Sequence, residues 1–236
     1  MEDSNQVGQS DTLPTHVHYL LHWAQNSPNR EFLVQPLPTG EVVKFTWQHV
    51  ADEVKRMATY LQAMNLPQRS QIAIFGKNSA HWIMADLAIW MSGHVSVPLY
   101  TTLNAEGTSY VLEHSESKVL FIGKLDGVGD SWNEVKGVIP KNMPCIRLPL
   151  APDYDAITWD DIIAQTQPTT SPYLPQAQEL ATIIYTSGST GLPKGVMQSY
   201  QTLLSPAAEL KGTFGVTSDD RALSYLPLAH VAERVF

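Results

Sequence analysis

The chain of 236 residues holds a single cysteine, Cys145. That excludes an internal disulfide and any zinc site built on several thiolates. Charge is also scarce: Asp, Glu, Lys and Arg supply 16% of the residues, against roughly 25% in an average globular chain, so a self-repelling disordered polymer is excluded. Positive charge is the scarcer sign. Fifteen Lys+Arg against 23 Asp+Glu leave a formal charge of −8, which repels phosphate backbones and argues against general nucleic-acid binding. No Lys or Arg precedes Arg30, whereas Glu2, Asp3 and Asp11 come early, so the basic start of a secretory signal is missing. The longest strongly apolar run, residues 82–91, contains Asp86 and falls well short of the ~20 residues of a membrane span. A soluble, reduced, cytoplasmic chain is expected, with room for peripheral membrane contact through a surface patch. The length suits one large domain or two small ones.

What is present alternates. Residues 1–12 are polar and read as loose. Val17, Leu20, Leu21 and Ala24 recur at helical spacing until Ser27-Pro28. Two extended pieces follow, around a Pro38-Thr39-Gly40 turn. Thr46 then suits an N-cap for a helix burying Val50, Val54, Met57, Ala58 and Leu61. Apolar strands at 71–75, 95–99 and 119–122 are separated by helices through Met91 and over 105–114, the pattern of a parallel sheet covered on both faces. Residues 137–178 are proline-rich and read as a surface connection with one short helix over 159–165. A strand at 180–185, a Gly/Ser/Thr turn, a short strand, a helix over 202–211 and a last strand at 222–226 complete the expected α/β fold. Residues 230–236 read as the opening of a helix with no cap, so the chain is expected to stop inside an element.

The densest chemistry lies in Tyr185-Thr186-Ser187-Gly188-Ser189-Thr190-Gly191-Leu192-Pro193-Lys194-Gly195-Val196. Three glycines let successive N–H groups turn inward as an anion-binding nest. Four hydroxyls, from Thr186, Ser187, Ser189 and Thr190, add neutral donors, and Lys194 adds a positive charge, a set suited to a polyphosphate. The block is not a Walker A loop, because Gly195 follows Lys194 where Ser or Thr is required. Nor does Gly-x-Gly-x-x-Gly occur.

This block resembles the phosphate-loop signature of the adenylate-forming superfamily, the AMP-binding enzymes that include acyl-CoA synthetases, firefly-type luciferases and peptide-synthetase adenylation domains. Leu223-Ser224-Tyr225-Leu226-Pro227-Leu228-Ala229-His230-Val231-Ala232-Glu233-Arg234 resembles the next block of the long-chain fatty acid–CoA ligase branch, at a fitting spacing. Residues 71–98 resemble the superfamily's first strand–helix–strand unit. The resemblance covers nearly the whole chain and matches the N-terminal portion of the large domain of such an enzyme. It implies a helical and extended segment over 1–70 facing a second sheet encoded further on, a first α/β subdomain over 71–198, and the start of a second subdomain over 199–236. It implies ATP, Mg²⁺ and coenzyme A, a fatty acid substrate, and a two-step reaction through an acyl-adenylate. It assigns the β- and γ-phosphates to residues 186–194, the Mg²⁺ side to Thr186, and a place near the carboxylate to His230. The acidic Mg²⁺ ligand, the ribose aspartate, the adenine-binding aromatic and the C-terminal lysine of such enzymes are missing. Residues 1–236 are therefore expected to be inactive alone, and to self-associate through apolar surface that a longer chain would cover. The sequence departs from the pattern at Tyr200, where the family usually carries a His or Asn pair nearby. A non-catalytic nucleotide-binding or interaction module and a fatty acyl-AMP ligase remain as alternative readings.

Other candidates carry less. His81 and Asp86 match the His-x4-Asp pattern of glycerolipid acyltransferases. Five residues advance a helix by about 500°, leaving the two side chains about 140° apart, so a core helix is the better reading. Of His16, His18 and His22, only the last two have i, i+4 spacing, and the glutamate of a zinc-binding HExxH helix is replaced by Tyr19. Cys145 has no nearby histidine in sequence, and Asp219-Asp220 read as a solvated turn.

Overall fold

The computed structural model describes residues 14–186 and 192–235; the expectation for residues 1–12 lies outside them. Helix α1 (His16–Asn26) leads into an antiparallel hairpin, β1 (Glu31–Pro36) and β2 (Val42–Thr46), and then α2 (Trp47–Ala63). An alternating run follows: β3 (Gln71–Phe75), α3 (Ala80–Met91), β4 (Val95–Leu99), α4 (Ala105–His114) and β5 (Val119–Ile122). After α5 (Trp132–Val135) come β6 (Cys145–Arg147), β7 (Ile157–Thr158), α6 (Trp159–Gln165), β8 (Leu180–Thr186), β9 (Lys194–Ser199) and α7 (Tyr200–Phe214). A 3-10 turn, Val231–Val235, is the last element described.

Seven strands form one sheet in the order β7-β6-β5-β3-β4-β8-β9. Every neighbouring pair is parallel except β8 with β9. Helix starts are set by side-chain caps: Thr46 accepts from the His49 N–H at 3.2 Å, Ser79 from Trp82 at 3.2 Å, and Asn104 from Gly107 at 2.8 Å. Each satisfies an amide that the first helical turn leaves free. One face of the sheet carries α1, α2, α3 and α6 over a core that includes Ile72, Ile74 and Phe121. The other packs α4 and α5 over Ala73, Phe75 and Leu120. Helix α3 is apolar nearly all round because it lies beneath α1 and α2 and against the sheet, so every residue of it except Ile83 is buried. Among the described residues no helix is long and apolar enough to cross a membrane.

Three expectations need correction. The proline-rich segment is no mere connection: it adds β6 and β7 to the parallel sheet and buries Trp159 and Ile162 of α6 in the main core. Residues 222–226 form no strand. With no strand beside it among the described residues, this stretch spends its backbone groups on side chains, Leu226 N–H on Glu233 Oε2 (3.2 Å) and Leu226 C=O on Asn78 Nδ2 (2.6 Å). The last strand, β9, runs antiparallel, because its connection to β8 is too short for a crossover. In helices α1 and α2, Val17, Leu20, Val54 and Leu61 lie in the core shared with α3.

The core also carries a pH dependence. His81 is held down to about 4 by burial, against the pull of Glu53 and with a smaller push from His49. His16, whose Nδ1 is sealed from solvent beside Trp90, is lowered to about 3 by burial and then by Arg234. Both bind a proton more readily when unfolded, near the ordinary 6.5. Their contribution is therefore complete above that value and is lost as pH falls toward 4. Urea unfolding at pH 7.5, 5.5 and 4.5 should show declining stability, and His81→Phe should flatten the decline; an equal slope in that variant would contradict the assignment.

Candidate functional site

Strand register fixes the place of the glycine-rich block. Phe75 stands opposite Leu99, and Ser96 opposite Thr182, so β3, β4 and β8 end together. That edge is the carboxyl end of the parallel strands, where open α/β sheets bind their ligands. Beyond it Thr186 pairs with Lys194 across the β8–β9 hairpin. Directly opposed residues of an antiparallel pair lie about 4.5–5.5 Å apart on one face. The hydroxyl and the ammonium group therefore project together, and both residues are exposed.

The next pair faces the other way. Tyr185 opposes Gly195, is buried, and shares a 2.7 Å hydrogen bond between its hydroxyl and His114 Nδ1. Burial, with Tyr110 nearby, raises its phenol above the ordinary range. A Cβ at Gly195 would lie 2.9 Å from Ile183 Cγ2 and 3.3 Å from Tyr185 Cζ, so the Ile183 methyl first, and the ring beside it, leave room there only for glycine. Tyr185 thus packs on the face of the hairpin opposite to Thr186 and Lys194. Ser187, Gly188, Ser189, Thr190 and Gly191, expected to form the nest, lie outside the described residues. Past them Leu192 is 58% exposed and Val196 40% exposed.

The second block reaches the same edge. Asn78, just beyond β3, donates to Ser224 Oγ (2.8 Å) and to the Leu226 carbonyl, and its Oδ1 accepts from the Leu228 N–H at 2.9 Å. His230 is exposed, and its Nδ1 accepts from the Ala232 N–H at 3.2 Å. In the neutral ring this leaves Nε2 carrying the proton, a donor free for a ligand. Arg234 then turns into the core. Its guanidinium reaches Asp86 Oδ2 at 2.5 Å, Ser96 Oγ at 3.1 Å and Thr182 Oγ1 at 2.9 Å, and sits over Trp82 and Trp90 at 5.6 and 5.3 Å from their ring centroids. Burial raises the Asp86 carboxyl against the pull of Arg234 and Ser96.

The remaining candidates separate. His81 lies between Phe45 and Trp159, 3.7 Å from Glu53, while Asp86 is taken by Arg234; the two do not form an acid–base pair. His18 accepts from the Thr15 N–H at the start of α1, His22 contacts Asn26, and His16 packs at a tilt beside Trp90. Among the described residues no group of three or more His, Cys, Asp or Glu is placed to hold a metal ion. The Cys145 thiol is pushed up to about 11 by burial, which suits a resting thiol and not a nucleophile. Asp220 accepts from the Thr217 N–H at 2.7 Å and Asp219 pairs with Arg30, both as surface turn contacts. Tyr200 is buried against Trp90, its phenol raised by burial.

Sequence reading passed over Asn78, His114 and the partners of Arg234. Asn78 carried a signal, since a polar residue in the turn that follows a parallel strand stands at the ligand edge. His114 and Asp86 carried none, because their partners are 71 and 148 residues away.

Comparison with known proteins agrees with this geometry. Residues 20–236 match the family described as AMP-binding enzyme, and the chain belongs to that family. It is 31% identical over 212 residues to fatty acyl-CoA synthetase B of Dictyostelium discoideum, covering 83% of this chain and 31% of the relative. It is 29% identical over 217 residues to long chain acyl-CoA synthetase 4 of Arabidopsis thaliana, covering 83% and 32%. The chain thus spans about a third of the length of these curated relatives. Among solved structures, O-succinylbenzoate coenzyme A synthetase of Bacillus subtilis in complex with AMP superposes with a TM-score of 0.71 at 26% identity, over 92% of this chain and 52% of that one. Acetoacetyl-CoA synthetase of Streptomyces lividans shares the fold with a TM-score of 0.80 at 20% identity, over 95% and 37%. The expected fold, a mostly parallel sheet flanked by helices as in the N-terminal domain of adenylate-forming enzymes, is borne out.

Proposed function

We propose that the complete polypeptide to which this chain belongs activates a carboxylic acid, of the long-chain fatty class, to a coenzyme A thioester. The observation that carries the proposal is the pairing of Thr186 with Lys194 at the carboxyl edge of the parallel strands. A carboxylate oxygen attacks the α-phosphorus of ATP, and the bond to the bridging oxygen of the β-phosphate breaks, releasing pyrophosphate and leaving an acyl-adenylate. The coenzyme A thiol, losing its proton, then attacks the acyl carbon and displaces AMP. No protein nucleophile is needed in either step; the difficulty is bringing one anion to another, which positioning and charge neutralisation relieve.

Lys194 neutralises the departing diphosphate, and residues 186–194 hold its β- and γ-oxygens. Gly195 and Val196 continue the hairpin that fixes Lys194. Thr186 would supply a hydroxyl to a Mg²⁺ ion bound with the nucleotide. One hydroxyl fits this ion, which keeps several waters and takes its other oxygens from phosphates. His230 offers Nε2–H toward the carboxylate. Residues 71–198 form the first subdomain, and 199 onward begins the second. The fatty acid class is favoured by relatives that carry that name at 31% identity. Acid-dependent exchange of labelled pyrophosphate into ATP tests the proposal. The complete polypeptide should catalyse it with a long-chain fatty acid, and residues 1–236 alone should not; no exchange with any carboxylic acid would contradict it.

A further inference from the structure

The side chains that face His230's segment suggest a mechanical arrangement. Two anchors bracket the histidine: Asn78 grips Leu226 and Leu228 on one side, and Arg234 is buried on the other. Arg234 ends on Thr182, which lies on β8 four residues before Thr186. Residues two and four apart on a strand share a face, so Thr182 and Thr186 point the same way, about 13 Å apart along the strand. Thr182 is itself fixed, its hydroxyl donating to the Ser96 carbonyl at 2.9 Å. One guanidinium thus joins α3 through Asp86, β4 through Ser96, β8 through Thr182 and the turn that follows His230. A full charge buried between two indoles is costly to install unless its partners are all in place. Nothing in the packing of a surface turn calls for it.

We propose that Arg234 and Asn78 are positioning residues: a two-point clamp that holds His230 in fixed relation to the strand leading into the phosphate loop. This rests on the function proposed above for its chemical meaning, and on the geometry alone for the clamp. Arg234 does not touch the reacting atoms. It sets the distance between the carboxylate-side histidine and the triphosphate side, so its loss should slow the chemical step and leave nucleotide affinity in place.

The test has two arms. Hydrogen exchange on the 236-residue chain compares wild type with Asn78→Ala, Arg234→Lys and the double variant D86L/R234M. The double variant replaces the buried pair by apolar groups and so keeps the core filled. Amides of residues 226–233 should exchange about tenfold faster or more in each, while those of β3 and β5 stay protected. In the complete polypeptide, the same variants should lower kcat for acid-dependent pyrophosphate exchange by about 10- to 100-fold, with the KM for ATP within about twofold; Arg234→Lys should retain the most activity. Unchanged exchange at residues 226–233 overturns the clamp. Faster exchange with unchanged kcat, or a loss seen only in KM, overturns the positioning role. A wild-type polypeptide without acid-dependent exchange refutes the proposed function, and the hydrogen-exchange arm still decides the clamp.

Discussion

Replacing Trp159 with alanine should lower the unfolding free energy by about 3–5 kcal/mol, the range for deleting a large buried aromatic. Trp159 is fully buried, meets His81 edge-on and Phe121 at a tilt, and donates from Nε1 to Glu53 Oε2 at 2.8 Å. Two effects add. The substitution leaves a cavity between α2, α6 and the sheet that rigid backbone fills only in part. It also strips a donor from a mostly buried carboxylate whose remaining neighbours are His49 and His81. Urea unfolding at pH 7.5 measures the loss. A change below about 0.5 kcal/mol, the level of an ordinary surface substitution, would mean that residues 137–178 are the loose connection their proline content suggests.

Lys194→Ala should act on chemistry and leave the fold alone. The side chain is exposed at the mouth of the hairpin, so unfolding should be unchanged within the scatter of surface substitutions. In the complete polypeptide the variant removes one charge-assisted contact to the leaving diphosphate, worth roughly 1.5–3 kcal/mol, or about a 10- to 150-fold drop in the adenylation rate. Lys194→Arg should recover part of it, since the charge returns with different reach and geometry. Single-turnover formation of the acyl-adenylate separates the two, and an unchanged rate in Lys194→Ala would remove the lysine from the mechanism.

The alternating run from β3 to β5 was legible because each strand is a compact apolar stretch and a helical stretch separates it from the next. Chemistry was legible where it is concentrated in consecutive residues, as from Tyr185 to Val196. Strands β6 and β7 were not. At three and two residues they carry no periodicity; β5 beside β6, and β6 beside β7, make them strands. Leu223, Tyr225 and Leu226 suggested a strand from their composition, yet Leu223 is 83% and Tyr225 75% exposed. A strand is a property of a pair, and no partner strand stands beside them among the described residues. The role of Asp86 was hidden for the same reason: a buried acid in an apolar helix has meaning only once Arg234 arrives from the far end of the chain.

The central claim is that the hairpin closed by Thr186 and Lys194 grips the diphosphate that leaves. Titrating the complete polypeptide with inorganic pyrophosphate and ATP, while following backbone amide resonances, tests it most directly. The amides from Thr186 to Gly195 should move and saturate together with both ligands, while those of β5 and β6 stay still. Saturable nucleotide binding with Thr186 and Lys194 unmoved would contradict it.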